Sequence, residues 1–398
     1  MPGYDAFLLL SFGGPEGPDD VMPFLENVTR GRGVPRERLA EVAEHYHAFG
    51  GVSPINGQCR DLLTAIRAAF RAQGLELPAY WGNRNWTPFL ADTVRQMADD
   101  GVERAVALAT SAYSSYSACR QYWDDIDRAV AEVGPRAPKI DKIRPYFNHP
   151  GFIEPFADAT VAAFASLPEE VRDRARLVFT AHSVPVGMAA SSGSVSGGTA
   201  CPEVAGGRYA AELGEASRLI AERVREAGFG RAGFNLVWQS RSGPPSVPWL
   251  EPDICDHLQA LAKDGVPAVV VVPVGFVSDH MEVVHDLDTE AREVAESLGL
   301  GFARAAAPGS SERFARMVAD LVAERTAELT ARAAGESASG PSAREALGSF
   351  GPAVSDCPAD CCRYTPGRPA SARAGSERPA SARPGSARPG SARPEEAS

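Results

Sequence analysis

Apolar runs of strand length alternate with amphipathic stretches along most of the chain. The runs Asp5–Phe12, Ala79–Gly82, Arg104–Thr110, Arg176–Thr180, Gly233–Gln239 and Pro267–Val274 are rich in Val, Leu, Ala and Phe. They are apolar at odd and even positions alike, as strands covered on both faces are. Apolar positions recur at helical spacing over Asp19–Val28, Arg36–Phe49, Gly57–Ala72, Pro88–Asp99, Arg120–Val133, Gly151–Ser166, Arg208–Glu226, Pro252–Lys263 and Ser278–Leu298. This alternation predicts an α/β fold of parallel sheets with crossover helices. Two units fit, residues 1–150 and 151–309, with the Pro- and charge-rich stretch Gly134–Pro150 as the crossover between them. A last helix, Ser310–Ala334, is expected to pack back onto the first unit.

Beyond that helix the composition changes. From Gly335 onward Ser, Ala, Gly, Pro and Arg dominate, and Gly375–Pro394 repeats SARPG. Such a segment buries too little apolar area to offset its ordering entropy, so 335–398 reads as a cysteine-containing stretch followed by a disordered tail. Ala189–Gly207, rich in Ser and Gly, reads as a flexible loop beside a cleft.

A length of 398 residues suits two ordinary domains plus an extension, and a hydrophobic fraction of 44% permits sizeable cores. The net charge of -11 argues against a general nucleic-acid binder, although a few local arginines can still hold an anionic ligand. The longest apolar run, Val266–Val277, is far shorter than the roughly 20 residues of a membrane span. The N-terminus lacks the basic start of a signal peptide and reads as a buried strand. The expected location is cytoplasmic, where disulfides are rare. Of seven cysteines, Cys357, Cys361 and Cys362 cluster, which points to metal or iron–sulfur ligation.

Three motifs carry the chemistry. SFGGPEGPDDV (11–21) is glycine-rich, but its glycines have the wrong spacing for a nucleotide loop, and Pro15 and Pro18 remove amide donors. It reads as a tight strand-to-helix turn. TAHSVPVGMA (180–189) places His182 at the carboxyl end of a buried strand, where open α/β sheets bind ligands. PVGFVSDHMEVVHDLDTEA (273–291) leaves a second buried strand and enters a helix that Ser278 or Asp279 can cap. Glu282, Asp286 and Glu290 recur every four residues along one side of it. Like charges at that spacing disfavour a helix, and no Lys or Arg is interleaved between Val274 and Ala291. With His280 and His285 nearby, the row offers the oxygen and imidazole ligands of a divalent-metal path. A local π-type widening would bring the three acids closer to alignment.

These residues, with GGVSPIN (50–56), HSVP (182–185) and WQSRSGPPSVPWL (238–250), resemble ferrochelatases from about residue 5 to residue 330, in order and in spacing. The resemblance implies two similar Rossmann-like domains with parallel four-stranded sheets and a porphyrin cleft between them. It implies a lyase that inserts Fe²⁺ into a porphyrin, with His182 and Glu282 facing the metal from opposite sides of it. Asp286 and Glu290 then form the metal path, and Ser53 and Tyr122 contact the porphyrin. Arg30 and Arg84 match basic positions of relatives acting on the more carboxylated coproporphyrin III, and Arg32 is a neighbouring loop arginine. Together with the lack of a strongly apolar lip, they favour coproporphyrin III over protoporphyrin IX, with hand-over of the product to a downstream heme-synthesis enzyme. Phe12 stands where Gram-positive-type relatives often carry Tyr, so no oxygen ligand for iron is available there. Cys119, Cys357, Cys361 and Cys362 match the four ligands of a [2Fe–2S] cluster; Cys201 is the rival fourth ligand, and the spacing alone also suits zinc. Such a cluster would tie the C-terminus to the first unit. Competing readings are a sirohydrochlorin-type chelatase, whose family lacks the SDHMEV helix as it stands here, and a non-catalytic tetrapyrrole or iron carrier, against which the His182–Glu282 pair argues.

Overall fold

The structure is a computed structural model, which describes residues 3–31, 33–195, 198–199, 206–243, 246–335 and 344–364. Its first half runs β1 (Ala6–Ser11), α1 (Val21–Val28), α2 (Arg36–Ala48), α3 (Ile55–Ala72), β2 (Ala79–Asn83), α4 (Leu90–Asp99), β3 (Arg104–Ala109), α5 (Gln121–Val133) and β4 (Lys139–Lys142). The second half continues with α6 (Pro150–Ser166), α7 (Glu169–Arg172), β5 (Arg176–His182), α8 (Val186–Ala190), the short pair β6 (Ser194–Val195) and β7 (Gly198–Thr199), and α9 (Arg208–Glu226). It closes with β8 (Phe234–Gln239), α10 (Ile254–Lys263), β9 (Ala268–Val272), α11 (Met281–Val283), α12 (Arg292–Ser297), β10 (Gly301–Arg304) and α13 (Glu312–Ala333).

The strands form two parallel four-stranded sheets, ordered β2-β1-β3-β4 and β10-β9-β5-β8. Every residue of β1 and β9 is buried, which explains their unbroken apolar sequences. Two strands escaped the hydrophobic pattern, β4 inside the expected crossover and β10 after the acidic helix. Both are outermost in their sheets, where one edge lacks a neighbouring strand. Charged residues are tolerated there: Asp141 of β4 pairs with Arg104 at 2.7 Å, and β10 ends in Arg304.

One apolar core runs through both halves, from Phe7, Leu9 and Val106 to Leu177, Phe179 and Val270. Helix α13 lies against α3 and α6 and so touches both. Direct ties also join the halves near the strand ends. The Tyr113 hydroxyl donates to the Val274 carbonyl at 2.8 Å, and the Asp279 amide donates to Gln58 Oε1 at 2.8 Å.

The SFGGP segment is the tight turn its sequence suggests. Gly13 has φ +81°, and a Cβ on Gly14 would stand 2.6 Å from Ser53 Cβ. Only glycine lets β1 turn this close to Ser53. A buried knot locks the turn: Asn56 Nδ2 donates to the Gly14 carbonyl at 3.1 Å, and Asn83 Nδ2 donates to the Thr87 carbonyl at 3.0 Å.

The C-terminal segment differs from what its composition suggests. Residues 344–364 form an ordered strap rather than a disordered stretch. Asn148 Nδ2 donates to the carbonyls of Leu347 and Gly351 at 3.0 and 2.9 Å, and the Ser349 amide donates to Glu215 Oε1 at 3.0 Å. Buried Arg144 forks onto Glu324 at 2.7 and 3.0 Å and reaches the Glu345 carbonyl at 2.9 Å. The polar composition hid these bonds, and with them the packing of Leu347 and Phe350 against the main core. The SARPG repeats, Arg32 and Cys201 lie outside the described residues.

Candidate active site

His182 ends β5, in register with Gln239 at the end of β8. Its Nδ1 lies 2.5 Å from the Ser183 carbonyl. A carbonyl only accepts, so Nδ1 carries a proton, and in the neutral ring the lone pair falls on Nε2. Nε2 faces Glu282 Oε2 at 3.6 Å. The Tyr209 hydroxyl donates to the His182 carbonyl at 2.9 Å.

The pair is held from β9 and the helix that follows it. The Gly275 amide donates to the Thr180 carbonyl at 3.1 Å, tying the two strand ends together. A helical run then covers 281–297: α11, a π-helical stretch Val284–Ala291, and α12. The π stretch is where the four-residue acid spacing suggested a widening. The expected cap differs. His280 occupies the N-cap without a side-chain bond, the Ser278 hydroxyl is buried without a partner among the described residues, and Asp279 is engaged elsewhere.

Asp279 and Asp288 both bind Arg304, a residue the sequence gave no reason to single out. Its guanidinium forks onto Asp279 at 3.1 and 3.0 Å and reaches Asp288 Oδ1 through Nε at 2.7 Å. One cation from β10 therefore clamps the turn before Glu282 and the π stretch after it.

Asp286 accepts from the Ser240 hydroxyl and, at 3.3 Å, from Gln239 Nε2. His285, Asp286 and Glu290 hold donor atoms all within 4.8 Å of one another. The hydrogen bond to Asp286 raises the pKa of His285, and burial raises that of Glu290. His45 of α2 stacks flat on His285, with centroids 3.9 Å apart; burial and the His285 charge lower its pKa. Burial likewise lowers the pKa of His280, against the pull of its acidic neighbours. Cys255 stands beside this row, its thiol pushed up to about 12 by burial and then by Asp253 and Glu290.

The arrangement corrects one expectation. A flat macrocycle between two groups needs about 7 Å, twice the roughly 3.5 Å contact distance. His182 and Glu282, 3.6 Å apart, leave no such slot and present their donors from one side.

Phe12 and Arg84 follow the ends of β1 and β2, and Arg84 covers Tyr122. Phe12 packs edge-on to Phe24 at 6.3 Å, in the cluster that contains Met281 beside Glu282. Ser53 and Tyr122 are buried. Arg84 is no free surface cation: it is ion-paired with Asp125, their side chains 7% and 10% exposed, and lies 4.6 Å over the Tyr122 ring and 5.7 Å over Phe12. Arg30 is exposed just beyond α1, with no ion pair among the described residues.

A second constellation is built from thiols. Cys119 sits in a π-helical turn, Tyr116–Arg120, capped by Ser115. With Cys357, Cys361 and Cys362 it lines one cavity, together with Ser114, Trp123 and Gly193. Cys361 and Cys362 Sγ are 3.5 Å apart, and the Gly193 amide donates to Cys362 Sγ at 3.0 Å. The neighbouring Cys361 thiol and this amide favour the Cys362 thiolate, whereas Cys357 and Cys362 push Cys361 up. Burial raises Cys119, partly opposed by nearby Lys142. None of the six described cysteines is in a disulfide.

No helix among the described residues is long and apolar enough to cross a membrane. The chain matches the ferrochelatase family model over residues 4–326. It is 54% identical to the coproporphyrin III ferrochelatase of Streptomyces coelicolor over 94% of this chain and 97% of that one. It is 58% identical to the coproporphyrin III ferrochelatase of Nocardia farcinica over 79% of this chain and 86% of that one. Among solved structures it is loosely similar to SirB from Bacillus subtilis with Fe3+, at TM-score 0.45 and 11% identity, covering 80% of this chain and 96% of that one. By its family-model match and these identities, the chain belongs to the ferrochelatase family.

Proposed function

We propose that this protein inserts ferrous iron into coproporphyrin III, releasing two protons and yielding Fe-coproporphyrin III for hand-over to a downstream heme-synthesis enzyme in the cytoplasm. The observation that carries the reading is the His182–Glu282 pair, an imidazole lone pair and a carboxylate 3.6 Å apart at the carboxyl ends of two parallel strands. Insertion exchanges two pyrrole N–H bonds for bonds to Fe²⁺. An unprotonated Nε2 of His182 is a ligand for the incoming ion, and the half-exposed Glu282 carboxylate takes the two protons one after the other and passes each to solvent. Asp286 and Glu290 extend the same helix face as a path for the cation. Partly exposed Phe12 is the porphyrin-facing wall of residues 1–150, backed by buried Ser53 and Tyr122; we treat 1–150 as the first domain and 151–309 as the second. Arg84 orders that wall from behind, and exposed Arg30 is the cation for a propionate. The names of the two actinobacterial relatives support coproporphyrin III as the substrate.

We assign the four-thiol cavity to a [2Fe–2S] cluster held by Cys119, Cys357, Cys361 and Cys362. Four sulfurs on one cavity, with the Gly193 amide aimed at one of them, suit the group. When bound, such a cluster can take up one electron; insertion draws on none. These residues join the C-terminal strap to the turn carrying Cys119.

His182→Ala tests the site. Iron insertion should fall by at least about 100-fold while porphyrin binding, followed by fluorescence quenching, persists. Full activity in this variant would remove His182 from the chemistry.

A further inference from the structure

Tyr209 takes no part in the mechanism above, yet its phenol reaches His182. Its ring is buried against Tyr113 and Trp238, with centroids at 6.5 and 6.0 Å. Its hydroxyl donates to the His182 main-chain carbonyl at 2.9 Å. At the other end of the residue, the Tyr209 amide donates to Ser192 Oγ at 2.8 Å. The next residue, Gly193, donates its amide to Cys362 Sγ at 3.0 Å. A connected line therefore runs from Cys362 through Gly193, Ser192 and Tyr209 to His182.

We infer that Tyr209 is a positioning residue for His182 and that it ties this positioning to the thiol cavity; the inference rests on the reading of His182 as catalytic. The peptide between His182 and Ser183 is fixed on one side by the Ser183 amide, which donates to the Gln239 carbonyl at 2.8 Å, and on the other by the Tyr209 hydroxyl. The Ser183 carbonyl in turn accepts the Nδ1 proton of His182. Loosening the first peptide moves that acceptor, and the ring loses its reason to keep the proton on Nδ1 and the lone pair toward Glu282. At the far end, Cys362 Sγ is one of several holds on the Ser192–Gly193 turn, beside the Ala189 carbonyl and the Arg208 amide. Displacing the C-terminal sulfurs removes that hold and so loosens the turn that anchors Tyr209.

Tyr209→Phe removes one hydroxyl and keeps the ring packing. Loss of this bond should lower kcat for iron insertion by up to about tenfold with KM for the porphyrin unchanged. The ¹⁵N shifts of His182 in histidine-labelled protein, identified by their absence in His182→Ala, should move from a single Nδ1–H tautomer toward a mixture. Ser192→Ala should shift both readouts the same way by less. In a Cys362→Ala background, which leaves the Gly193 amide no acceptor at that position, Tyr209→Phe should add less than it does on its own. An unchanged tautomer and kcat in Tyr209→Phe would overturn the positioning role. Full additivity with Cys362→Ala would overturn the tie to the thiols. The tautomer readout judges Tyr209 independently of activity, so an active His182→Ala enzyme would count against the catalytic reading and leave this test standing.

Discussion

Replacing Arg304 by Met should cost stability and activity together. The guanidinium is 14% exposed and pairs with Asp279 and Asp288, whose side chains are 14% and 27% exposed. Met keeps most of the apolar stem and removes the charge and all three hydrogen bonds. Asp279 is then left partly buried and unpaired, and Asp288 keeps only Arg292, at 3.8 Å. Stranding a buried charge typically costs 3–5 kcal/mol, and partial exposure puts this site near the low end, about 3 kcal/mol. Urea unfolding measures it as a lower midpoint at constant slope. The same change frees both anchor points of the segment carrying Glu282 and Asp286, so kcat should fall beyond what the loss of folded protein explains. Adding Asp279→Asn and Asp288→Asn should restore most of the stability, because the stranded charges are gone. A loss below about 1 kcal/mol for Arg304→Met would refute the clamp, since that is the range of an exposed pair.

Two further perturbations probe the substrate and the fold. Arg30→Ala should raise KM for coproporphyrin about fivefold with little change in kcat, as loss of one exposed ionic contact to a propionate does; steady-state kinetics checks it, and an unchanged KM would remove Arg30 from recognition. His149 concerns acid stability. Its Nδ1 accepts the Gly151 amide at 3.0 Å, and burial, then the Arg144 charge, pushes its pKa down to about 3, with Glu345 at 3.6 Å too exposed to offset this. The unfolded chain protonates this group near pH 6.5. Its stabilising contribution is therefore complete above that pH and is lost as the pH falls toward 3, by up to about 1.4 kcal/mol per unit. His149→Asn, which keeps a cap, should flatten the stability profile over that window; an unaltered slope in urea titrations would contradict the assignment.

The chain announces its interior more clearly than its edges. Strands such as β9, buried at every position, are legible because nothing but apolar residues survives there. β4 and β10 are not, because an edge strand can carry Asp141 or Arg304. His182 and the acid row were legible from chemistry that no solvated helix face would choose, and the π stretch followed from their spacing. Arg304 and Tyr209 were not: each acts through partners far away in the chain, and neither stands in a motif. The strap at 344–364 was obscured for a related reason: main-chain bonds to Asn148 and Glu215, with Leu347 and Phe350 as isolated apolar anchors, leave no hydrophobic period to read.

The most direct measurement is anaerobic insertion of Fe²⁺ into coproporphyrin III and protoporphyrin IX in parallel, followed by the Soret band. The account predicts fast turnover of coproporphyrin III and little of protoporphyrin IX. Preference for protoporphyrin IX, or tight binding of both without turnover, would contradict it.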